Sequence, residues 1–284
     1  MVVNVPPLKN RMRNYLSEHK PMFAFNIWDI NSAEAVLDGA VQCGKDIILQ
    51  TSASVFETLN KRDLREFVNS YIKKGGISVW LHLDHCRDMK LIWQAIEYGW
   101  DSVMIDASDK MLDENINITN QVIKYAHERQ TLVEAEVGQV KGVEDDIIVK
   151  QAAVASREEI NRFLTETDVD MIAVAFGNAH GVYEGEPELH YDLVEYTVHQ
   201  SNIPFVVHGG SGLSDEMLLH LLSMPKVKKI NISTEVKLAY REGILQAIER
   251  GLLEQKDFQA AKVAHCIHNA IVNMVESKLK LVSD

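Results

Sequence analysis

Residues 78–86 have the sequence Ser78-Val79-Trp80-Leu81-His82-Leu83-Asp84-His85-Cys86. The apolar and β-branched residues at the beginning of this stretch predict a buried strand. The strand ends in an acid and an imidazole, Asp84 and His85, which are adjacent in the chain. In a barrel of parallel strands, side chains at the carboxyl ends line the mouth where catalytic groups collect. The stretch therefore predicts a barrel strand with chemically active side chains at its end.

Seven further apolar runs alternate along the chain with segments of helical periodicity. Helix starts are predicted at Asn31-Ser32 and at Ser156, where Glu159 completes a capping box. Eight strands that alternate with helices predict an α/β fold, a closed (β/α)8 TIM barrel. A doubly wound open sheet is the alternative, but the glycine-rich dinucleotide fingerprint expected after its first strand is absent. The predicted strands span residues 21–27, 46–50, 78–86, 101–106, 131–136, 170–176, 203–208 and 227–232.

Two predicted helices lie outside the repeating pattern of strands and helices. One, at residues 8–19, is expected to close the barrel floor, and the other, at residues 260–279, follows the last barrel helix. No linker composition interrupts the pattern, so residues 1–284 are predicted to form a single barrel domain. A long segment at residues 137–155 is predicted to be a loop, and loops of that length are usually functional or disordered.

The composition is that of an ordinary globular protein, with 46% hydrophobic and 25% charged residues in a chain of 284. The net charge of -12 argues against nucleic acid as a partner, although it does not exclude a local phosphate site. Three cysteines without metal-ligand spacing favour a reducing, cytoplasmic location. The sequence contains neither an apolar stretch that would span a membrane nor a secretory signal, so no membrane partner is expected.

Histidines follow three of the predicted strands, at His85, His180 and His208. Because the carboxyl ends of barrel strands meet at one face, we expect these imidazoles to lie close together. Three neutral imidazoles with an open position are a catalytic zinc arrangement. A single histidine of this kind is about as often a hydrogen-bonded core residue, but three at one barrel end favour a metal site. His82 is expected to support the site rather than to bind metal.

Small residues follow the last strands of the predicted barrel. Gly181 and the run Gly209-Gly210-Ser211-Gly212 allow backbone N–H groups to approach an anion closely. Asn231, Ser233 and Thr234 open the eighth helix, where the helix dipole also favours an anion. Tight turns and an ordinary N-cap are the alternative interpretation. The position after strands seven and eight, the usual phosphate site of such barrels, favours phosphate binding.

A metal beside a phosphate site predicts a phosphorylated substrate whose carbonyl group is polarised. Aldol cleavage fits this combination and needs two groups that transfer protons. Asp84 is one candidate because it adjoins a predicted metal ligand. Glu144 is the other, and a solvated acidic turn is the alternative interpretation of residues 144–146.

Five motifs resemble those of the class II fructose-bisphosphate and tagatose-bisphosphate aldolases, in the same order, over about residues 23–243. They are His82–His85, Val133–Gly138, Gly177–Tyr183, Val207–Leu213 and Asn231–Thr234. The resemblance implies a proton transfer at the aldehyde oxygen by Asp84 and movement of the carbon-bound proton of dihydroxyacetone phosphate by Glu144. It also implies zinc on His85, His180 and His208, with an alternative metal position near Asp106 and Glu136.

The same resemblance implies where the substrate binds. The matching positions are Asn26, Ser52, Gly181, Gly209, Gly210, Ser211, Asn231, Ile232, Ser233 and Thr234. Relatives of this kind hold a monovalent cation, Na+ or K+, through nearby backbone oxygens, and they form homodimers or homotetramers. The predicted reaction is the reversible cleavage of a ketose 1-phosphate or ketose 1,6-bisphosphate to dihydroxyacetone phosphate and an aldehyde.

Four departures from the family pattern concern the aldehyde end of the substrate. Ser233 replaces an aspartate, Asp109 replaces a histidine, and Cys86 replaces a glycine. The basic segment that usually precedes the last helix is absent around residues 256–261. We therefore predict that the aldehyde is not glyceraldehyde 3-phosphate, and a sugar 1-phosphate without a second phosphate is the alternative substrate.

Three other protein classes are less compatible with the sequence. A Schiff-base aldolase needs a lysine inside the barrel; the sixth strand has none, and Lys228 and Lys229 lie at the start of the eighth. An amidohydrolase-type enzyme needs a His-x-His motif on strand one, where residues 25–27 are Phe-Asn-Ile. A non-catalytic partner subunit predicts loss of the ligands, yet all three histidines and Asp84 are present.

Overall fold

The computed structural model of the protein describes residues 12, 16, 21–144, 147–149, 153–181, 183, 185–254 and 256–282. Eight parallel strands close into a barrel with helices between them, which confirms the predicted (β/α)8 fold. The first and last of these strands pair with each other and close the ring. The barrel strands are β1 (Met22–Asn26), β2 (Ile47–Ser52), β3 (Val79–Cys86), β4 (Ser102–Ile105), β5 (Leu132–Val137), β8 (Met171–Val174), β10 (Phe205–Val207) and β11 (Val227–Ile232).

Helices follow the strands as the apolar periodicity predicts, and a further helix at residues 260–279 lies after the barrel. The short helix α2 was not predicted; Ser52, the last residue of β2, also caps it. The described helices are α1 (Ile30–Cys43), α2 (Ala53–Thr58), α3 (Lys61–Gly75), α4 (Met89–Glu97), α5 (Leu112–Glu128), α6 (Arg157–Glu166), α7 (Tyr191–Gln200), α8 (Asp215–Ser223), α9 (Thr234–Glu249) and α10 (Ala260–Leu279).

One of the two predicted helix caps is confirmed, and the other is wrong. Ser156 and Glu159 form the predicted capping box of α6. The predicted cap at Asn31-Ser32 is wrong, because Asp29 caps α1 and Ser32 is the third helical residue of a reciprocal capping box with it. At the third helical position the Ser32 hydroxyl accepts from the N–H of the capping residue Asp29, whereas an N-cap serine would accept from an N–H inside the helix. Serine is common in both roles, so the sequence pattern alone does not distinguish them.

Residues 137–155 do not form a plain loop, which corrects the prediction. They contain an antiparallel hairpin of β6 (Lys141–Glu144) and β7 (Ile147–Val149), and β6 also pairs in parallel with the short strand β9 (Ala179–His180). The β-branched residues on both sides of the acidic run favour extended backbone. Asp145 and Asp146 lie outside the described residues.

Two apolar clusters fill the barrel and its surroundings. The larger lies mainly between the strands and the helices. The smaller fills the barrel at the amino-terminal ends of the strands, with Met22, Ile48, Trp80, Leu132, Met171 and Val206 among its members. Met12 and Leu16, the described part of the predicted helix at residues 8–19, are buried in this floor cluster. The other residues of that helix lie outside the described part of the chain. Since the floor is apolar, the polar side chains collect at the opposite end.

Candidate active site

The end of β3 places two consecutive side chains in the barrel mouth. Successive strand residues normally point to opposite faces. Here the register of β3 against β4 shifts between Leu83 and Cys86, and His85 has a φ of 43°. A left-handed conformation is strained for a residue with a bulky side chain, and such strain concentrates at functional sites. This local distortion directs His85 toward the imidazoles of His180 and His208, while Asp84 stays on the interior face.

Three side-chain amides surround the carboxylate of Asp84, which is fully buried. Asn26 and Gln50 donate hydrogen bonds to Oδ2 over 3.2 Å and 2.9 Å, and Asn231 donates to Oδ1 over 3.2 Å. Burial alone would raise the pKa of Asp84, but the charges of His85 and Lys229 outweigh it and lower the pKa. Asp84 is therefore held as an ionised carboxylate in a fixed orientation.

The three predicted metal ligands converge, as the sequence led us to expect. A ligand atom from each of His85, His180 and His208 lies within 4.8 Å of those of the other two. The ring centroid of His85 is 4.7 Å from that of His180 and 4.5 Å from that of His208. Burial and the neighbouring imidazoles lower the pKa of His180 far below its ordinary value, so His180 is neutral at pH 7. A neutral imidazole is the form that binds a metal.

Carboxylates contact two of these histidines. Asp106 Oδ2 lies 3.4 Å from Nδ1 of His85, and Glu136 Oε2 lies 2.8 Å from Nδ1 of His208. Burial would raise the pKa of Asp106, but its contacts with His85, Ser108 and Arg87 hold that pKa well below its usual range. Asp106 and Glu136 are thus brought to the histidine cluster, where the sequence resemblance places an alternative metal position.

A second layer of charged side chains lies beneath His208 inside the barrel. Glu134 Oε1 is 2.9 Å from Nε2 of His208, and Glu134 Oε2 is 2.8 Å from Nζ of Lys229. Burial would raise the pKa of Glu134, but the charge of Lys229 and the nearby imidazoles hold it well below its usual value. His82 contacts this layer from the side and hydrogen-bonds Ser102 through Nδ1 at 2.8 Å. This supporting position agrees with the prediction for His82.

The loops after β8 and β10 are connected by side-chain hydrogen bonds. Asn178 accepts a hydrogen bond from the Phe176 N–H and donates to the carbonyl of His208 over 2.9 Å. The Tyr183 hydroxyl accepts from the Ala179 N–H and donates to the Gly209 carbonyl over 3.1 Å. These bonds fix the loops that carry His180 and His208 relative to each other.

The predicted phosphate-binding residues cluster around the start of α9. Ser211 Oγ accepts hydrogen bonds from the N–H groups of Ser233 and Glu235 over 3.1 Å and 3.3 Å. Gly181 and Gly209 have φ values of 92° and 66°, which favour glycine and allow the two loops to approach each other. Gly210 donates its N–H to the Asn231 carbonyl. Thr234, half-buried, is the first residue of α9. The cluster is compatible with an anion at a helix N-terminus.

For three other predicted site residues, the structure shows no side chain that is free to face the site. Ile232 has its side chain in the large apolar cluster, so only its backbone is available to a ligand. Ser52, aligned in register with Asp84, uses its hydroxyl to cap α2. Glu144 is the last residue of β6, and its side chain lies outside the described part of the structure.

One of the positions that depart from the family pattern, Asp109, lies on an ion-pair network at the mouth, and another, Cys86, lies beside Arg87 of that network in the chain. Arg87 pairs with Asp106 over 3.3 Å and with Asp109 over 3.4 Å. The guanidinium is thus shared by two carboxylates, and its side chain is 37% exposed. Cys86 is buried, with its thiol against the Asp88 carbonyl, and burial raises the pKa of Cys86 to about 12.

Sequence reasoning missed Gln50, gave no role to Glu134, and judged Lys229 to lie too near the start of its strand. Their common signal is a polar or charged residue within a buried barrel strand. Such residues are seldom fully buried unless they are paired. Each partner lies on another strand, at least 24 residues away in the chain, so the pairing is visible only in the fold.

Fold and site together define a barrel enzyme with its polar groups at the carboxyl ends of the strands. The profile of the family "Fructose-bisphosphate aldolase class-II" matches residues 8–284. The chain belongs to this family and is a lyase of the aldolase type.

Individual relatives agree with this assignment. The sulfofructosephosphate aldolase of Alkalicoccus urumqiensis is 30% identical over 275 residues, which are 96% of this chain and 94% of the relative. The 6-phospho-5-dehydro-2-deoxy-D-gluconate aldolase of Shouchella clausii is 36% identical over 221 residues, 77% of this chain and 75% of the relative. The YdjI aldolase of Escherichia coli K12 has the same fold, with a TM-score of 0.80 at 24% identity over 98% of this chain and 97% of the relative. Within the described residues, no helix is both long and apolar enough to cross a membrane.

Proposed function

We propose that this enzyme catalyses the reversible aldol cleavage of a ketose 1-phosphate or ketose 1,6-bisphosphate of the fructose or tagatose type. The products are dihydroxyacetone phosphate and an aldehyde. The observation that carries the proposal is the convergence of three histidines on the buried carboxylate Asp84, beside a cluster suited to an anion. The names of the relatives support it, because sulfofructosephosphate and phospho-dehydro-deoxy-gluconate are both phosphorylated sugar derivatives.

The donor set at the barrel mouth fits a zinc ion. Three imidazole nitrogens within 4.8 Å of one another are close enough to share one ion, and nitrogen ligands suit zinc. His85, His180 and His208 would hold it. Bound there, zinc would act as a Lewis acid toward the carbonyl group of the substrate.

Asp84 is proposed to handle the proton at the oxygen that becomes the aldehyde. Its lowered pKa keeps it ionised at neutral pH, which is the state that accepts the hydroxyl proton during cleavage. The same group returns the proton to the aldehyde oxygen during condensation. The amides of Asn26, Gln50 and Asn231 keep the carboxylate in one orientation through both directions.

The phosphate of dihydroxyacetone phosphate is proposed to bind between the glycine loops and the start of α9. Gly181, Gly209, Gly210 and Ser211 contribute the loops, and Ser233 with Thr234 contributes the helix end. Backbone N–H groups at a helix N-terminus favour an anion without a side-chain cation. Asn26, Ser52 and Ile232 complete the proposed substrate site, Ile232 through its backbone.

Glu144 is proposed to exchange the carbon-bound proton of dihydroxyacetone phosphate. It ends β6, two residues beyond Gly142, which pairs in register with His180. Its position on a hairpin attached to a strand that carries a metal-ligand candidate supports this role. The alternative metal position near Asp106 and Glu136, a bound Na+ or K+, a homodimer or homotetramer, and a cytoplasmic location stay predictions.

Within this substrate class, a ketose 1-phosphate without a second phosphate is proposed in preference to the bisphosphate. It is favoured by Arg87, because a second phosphate would compete with Asp106 and Asp109 for that guanidinium. We expect kcat/KM for fructose 1-phosphate to equal or exceed kcat/KM for fructose 1,6-bisphosphate. A strong preference for the bisphosphate would overturn this candidate and leave the aldol reaction itself unaffected.

The reaction is tested by condensation of dihydroxyacetone phosphate with a panel of aldehydes. We expect product formation that disappears when the metal is removed by a chelator and returns when zinc is added. Metal analysis of the protein as purified accompanies the assay. Full activity in protein shown to be free of metal would contradict the proposal, as would the absence of a condensation product with every aldehyde.

A further inference from the structure

A buried series of charged groups runs from the interior of the barrel to the histidine cluster. Lys229 on β11 contacts Glu134 on β5, and Glu134 contacts His208 after β10, with both distances below 3 Å. The side chains of all three residues are completely buried. An apolar pair of similar volume is commonly at least as stable as a buried ion pair. Stabilisation of the fold is therefore a weak explanation for the buried charges of Lys229 and Glu134.

Glu134 is held from several directions at once. Lys229 lies 2.8 Å from Oε2, and His82 approaches the same oxygen at 3.6 Å. The other oxygen, Oε1, lies against Nε2 of His208. His82 is itself anchored by Ser102. The carboxylate thus has little freedom to turn away from the His208 ring.

Glu136, on the other side of the same ring, is held less firmly. It meets Nδ1 of His208, and among the described residues its second oxygen accepts one hydrogen bond, a long contact of 3.4 Å from the Val140 N–H. Of the two ring nitrogens, Nε2 therefore faces the fixed carboxylate and Nδ1 faces the displaceable one.

We propose that Glu134 and Lys229 are positioning residues that prepare His208 to bind the metal. The fixed carboxylate keeps the hydrogen on Nε2 and leaves the lone pair on Nδ1, where a metal ligand needs it. The hydrogen bond of one imidazole nitrogen sets the tautomer and orientation of a ligand histidine in this way. The inference rests on the proposed function, because it presupposes a metal at His208.

The test is the double variant Glu134→Gln/Lys229→Met, which removes both charges and keeps the shape of the pair. The zinc dissociation constant, measured by competition with a chromogenic chelator, is expected to rise about 10- to 100-fold. The absorption spectrum of the Co2+-substituted protein is expected to change, because the position of one ligand changes. The thermal unfolding midpoint of the metal-free protein is expected to stay near that of the wild type.

A control is available at the partly buried ion pair of Arg65 and Asp101, which lies between α3 and the start of β4. The variant Arg65→Met/Asp101→Asn is expected to leave the zinc dissociation constant and the Co2+ spectrum unchanged, because the pair does not contact the histidine cluster. Glu134→Asp is a second test variant, which retains the charge but withdraws the carboxylate by one methylene. It is expected to weaken zinc binding about tenfold.

Unchanged zinc affinity and an unchanged Co2+ spectrum in a folded variant of Glu134 would overturn the inference. Failure of the proposed function has a different signature, because the wild-type protein itself would then bind no zinc. If the double variant does not fold, Glu134→Asp decides the question by the same two measurements.

Discussion

At the scale of single residues, the site depends on one strained position. Strand alternation would place His85 on the opposite face from Asp84, and the φ of 43° together with the register shift brings both into the mouth. A non-glycine residue in that conformation costs about 1–3 kcal/mol, which the surrounding structure must offset. The strain thus joins an acid and a metal-ligand candidate that are adjacent in the chain.

Asp84→Asn tests the proton-transfer role. The substitution preserves the size of the side chain and removes the group that accepts the proton, so we expect kcat to fall by about 10²- to 10⁴-fold. Zinc content should stay at the wild-type level. Asp168→Asn is the control, since the Asp168 side chain is 95% exposed. A variant of Asp84 with nearly normal kcat would remove this residue from the mechanism.

Gln50→Leu tests the orientation of Asp84. The change removes the 2.9 Å hydrogen bond to Oδ2 and leaves Asn26 Oδ1 without its donor. Hydrogen bonds to charged groups contribute about 1.5–3 kcal/mol, so kcat should fall at least tenfold, with zinc affinity unchanged. Steady-state kinetics and metal analysis check this outcome. Gln94→Leu on the exposed face of α4 serves as control. Equal kinetics for the two variants would refute the orienting role.

At the scale of secondary-structure elements, the hairpin of β6 and β7 supports the strand that carries His180. Its first strand pairs with β9, so the backbone of His180 is held by residues about forty positions earlier in the chain. Gly142 stands opposite His180, and a Cβ atom at Gly142 would overlap the backbone of His180. The hairpin is therefore a structural support for a metal-ligand candidate.

Gly142→Ala is expected to weaken zinc binding at least tenfold, because the added methyl group must displace His180. Overpacking of this kind typically costs about 1–3 kcal/mol of stability. Titration with zinc and thermal unfolding check both effects. Gly44→Ala is the matched control: its φ is also positive, but no described heavy atom lies within 4 Å of the added Cβ. It should lose stability without losing zinc affinity. Comparable zinc binding by both variants would contradict the supporting role of the hairpin.

At the scale of the whole molecule, the buried side chain of His82 makes the stability of the fold depend on pH. Burial and the charge of Lys229 lower the pKa of His82 to about 3, although Glu134 and Asp84 oppose the change. In the unfolded chain a histidine has a pKa near 6.5. As the pH falls below about 6.5, the unfolded chain takes up a proton that the folded protein refuses. The contribution of neutral His82 to the free energy of unfolding is therefore present above this pH, and it is lost as the pH falls toward 3.

The metal-free protein should accordingly lose about 2 kcal/mol of unfolding free energy between pH 7 and pH 5 through His82. His82→Asn, which retains a polar atom near Ser102, should remove that part of the pH dependence. Urea unfolding of both proteins at the two pH values measures the difference. The other histidines are present in both proteins, so the difference reports His82 and the charged groups that it faces. Identical pH dependence would contradict a lowered pKa of His82 in the folded protein.

The alternation of apolar runs and helical periodicity was sufficient to predict the barrel. Each run has to bury its side chains, and eight such runs joined by helices have few other ways to do so. The three histidines and Asp84 were also predictable, since the carboxyl ends of the barrel strands meet at one face whatever the details of packing. Family resemblance in five motifs led to the aldolase family, which the profile match confirms.

The tertiary structure decided which buried groups face each other. The amides around Asp84, the Glu134–Lys229 pair under His208 and the pairing of β6 with β9 all join residues distant in sequence. No local pattern encodes such contacts, because they depend on strand register and on side-chain direction in the closed barrel. Even at residues 78–86, the sequence determined the strand and its polar end, whereas the backbone distortion at His85 decided that both side chains enter one site. Backbone conformation at a strand end is set by the neighbouring strands, which the local sequence does not contain.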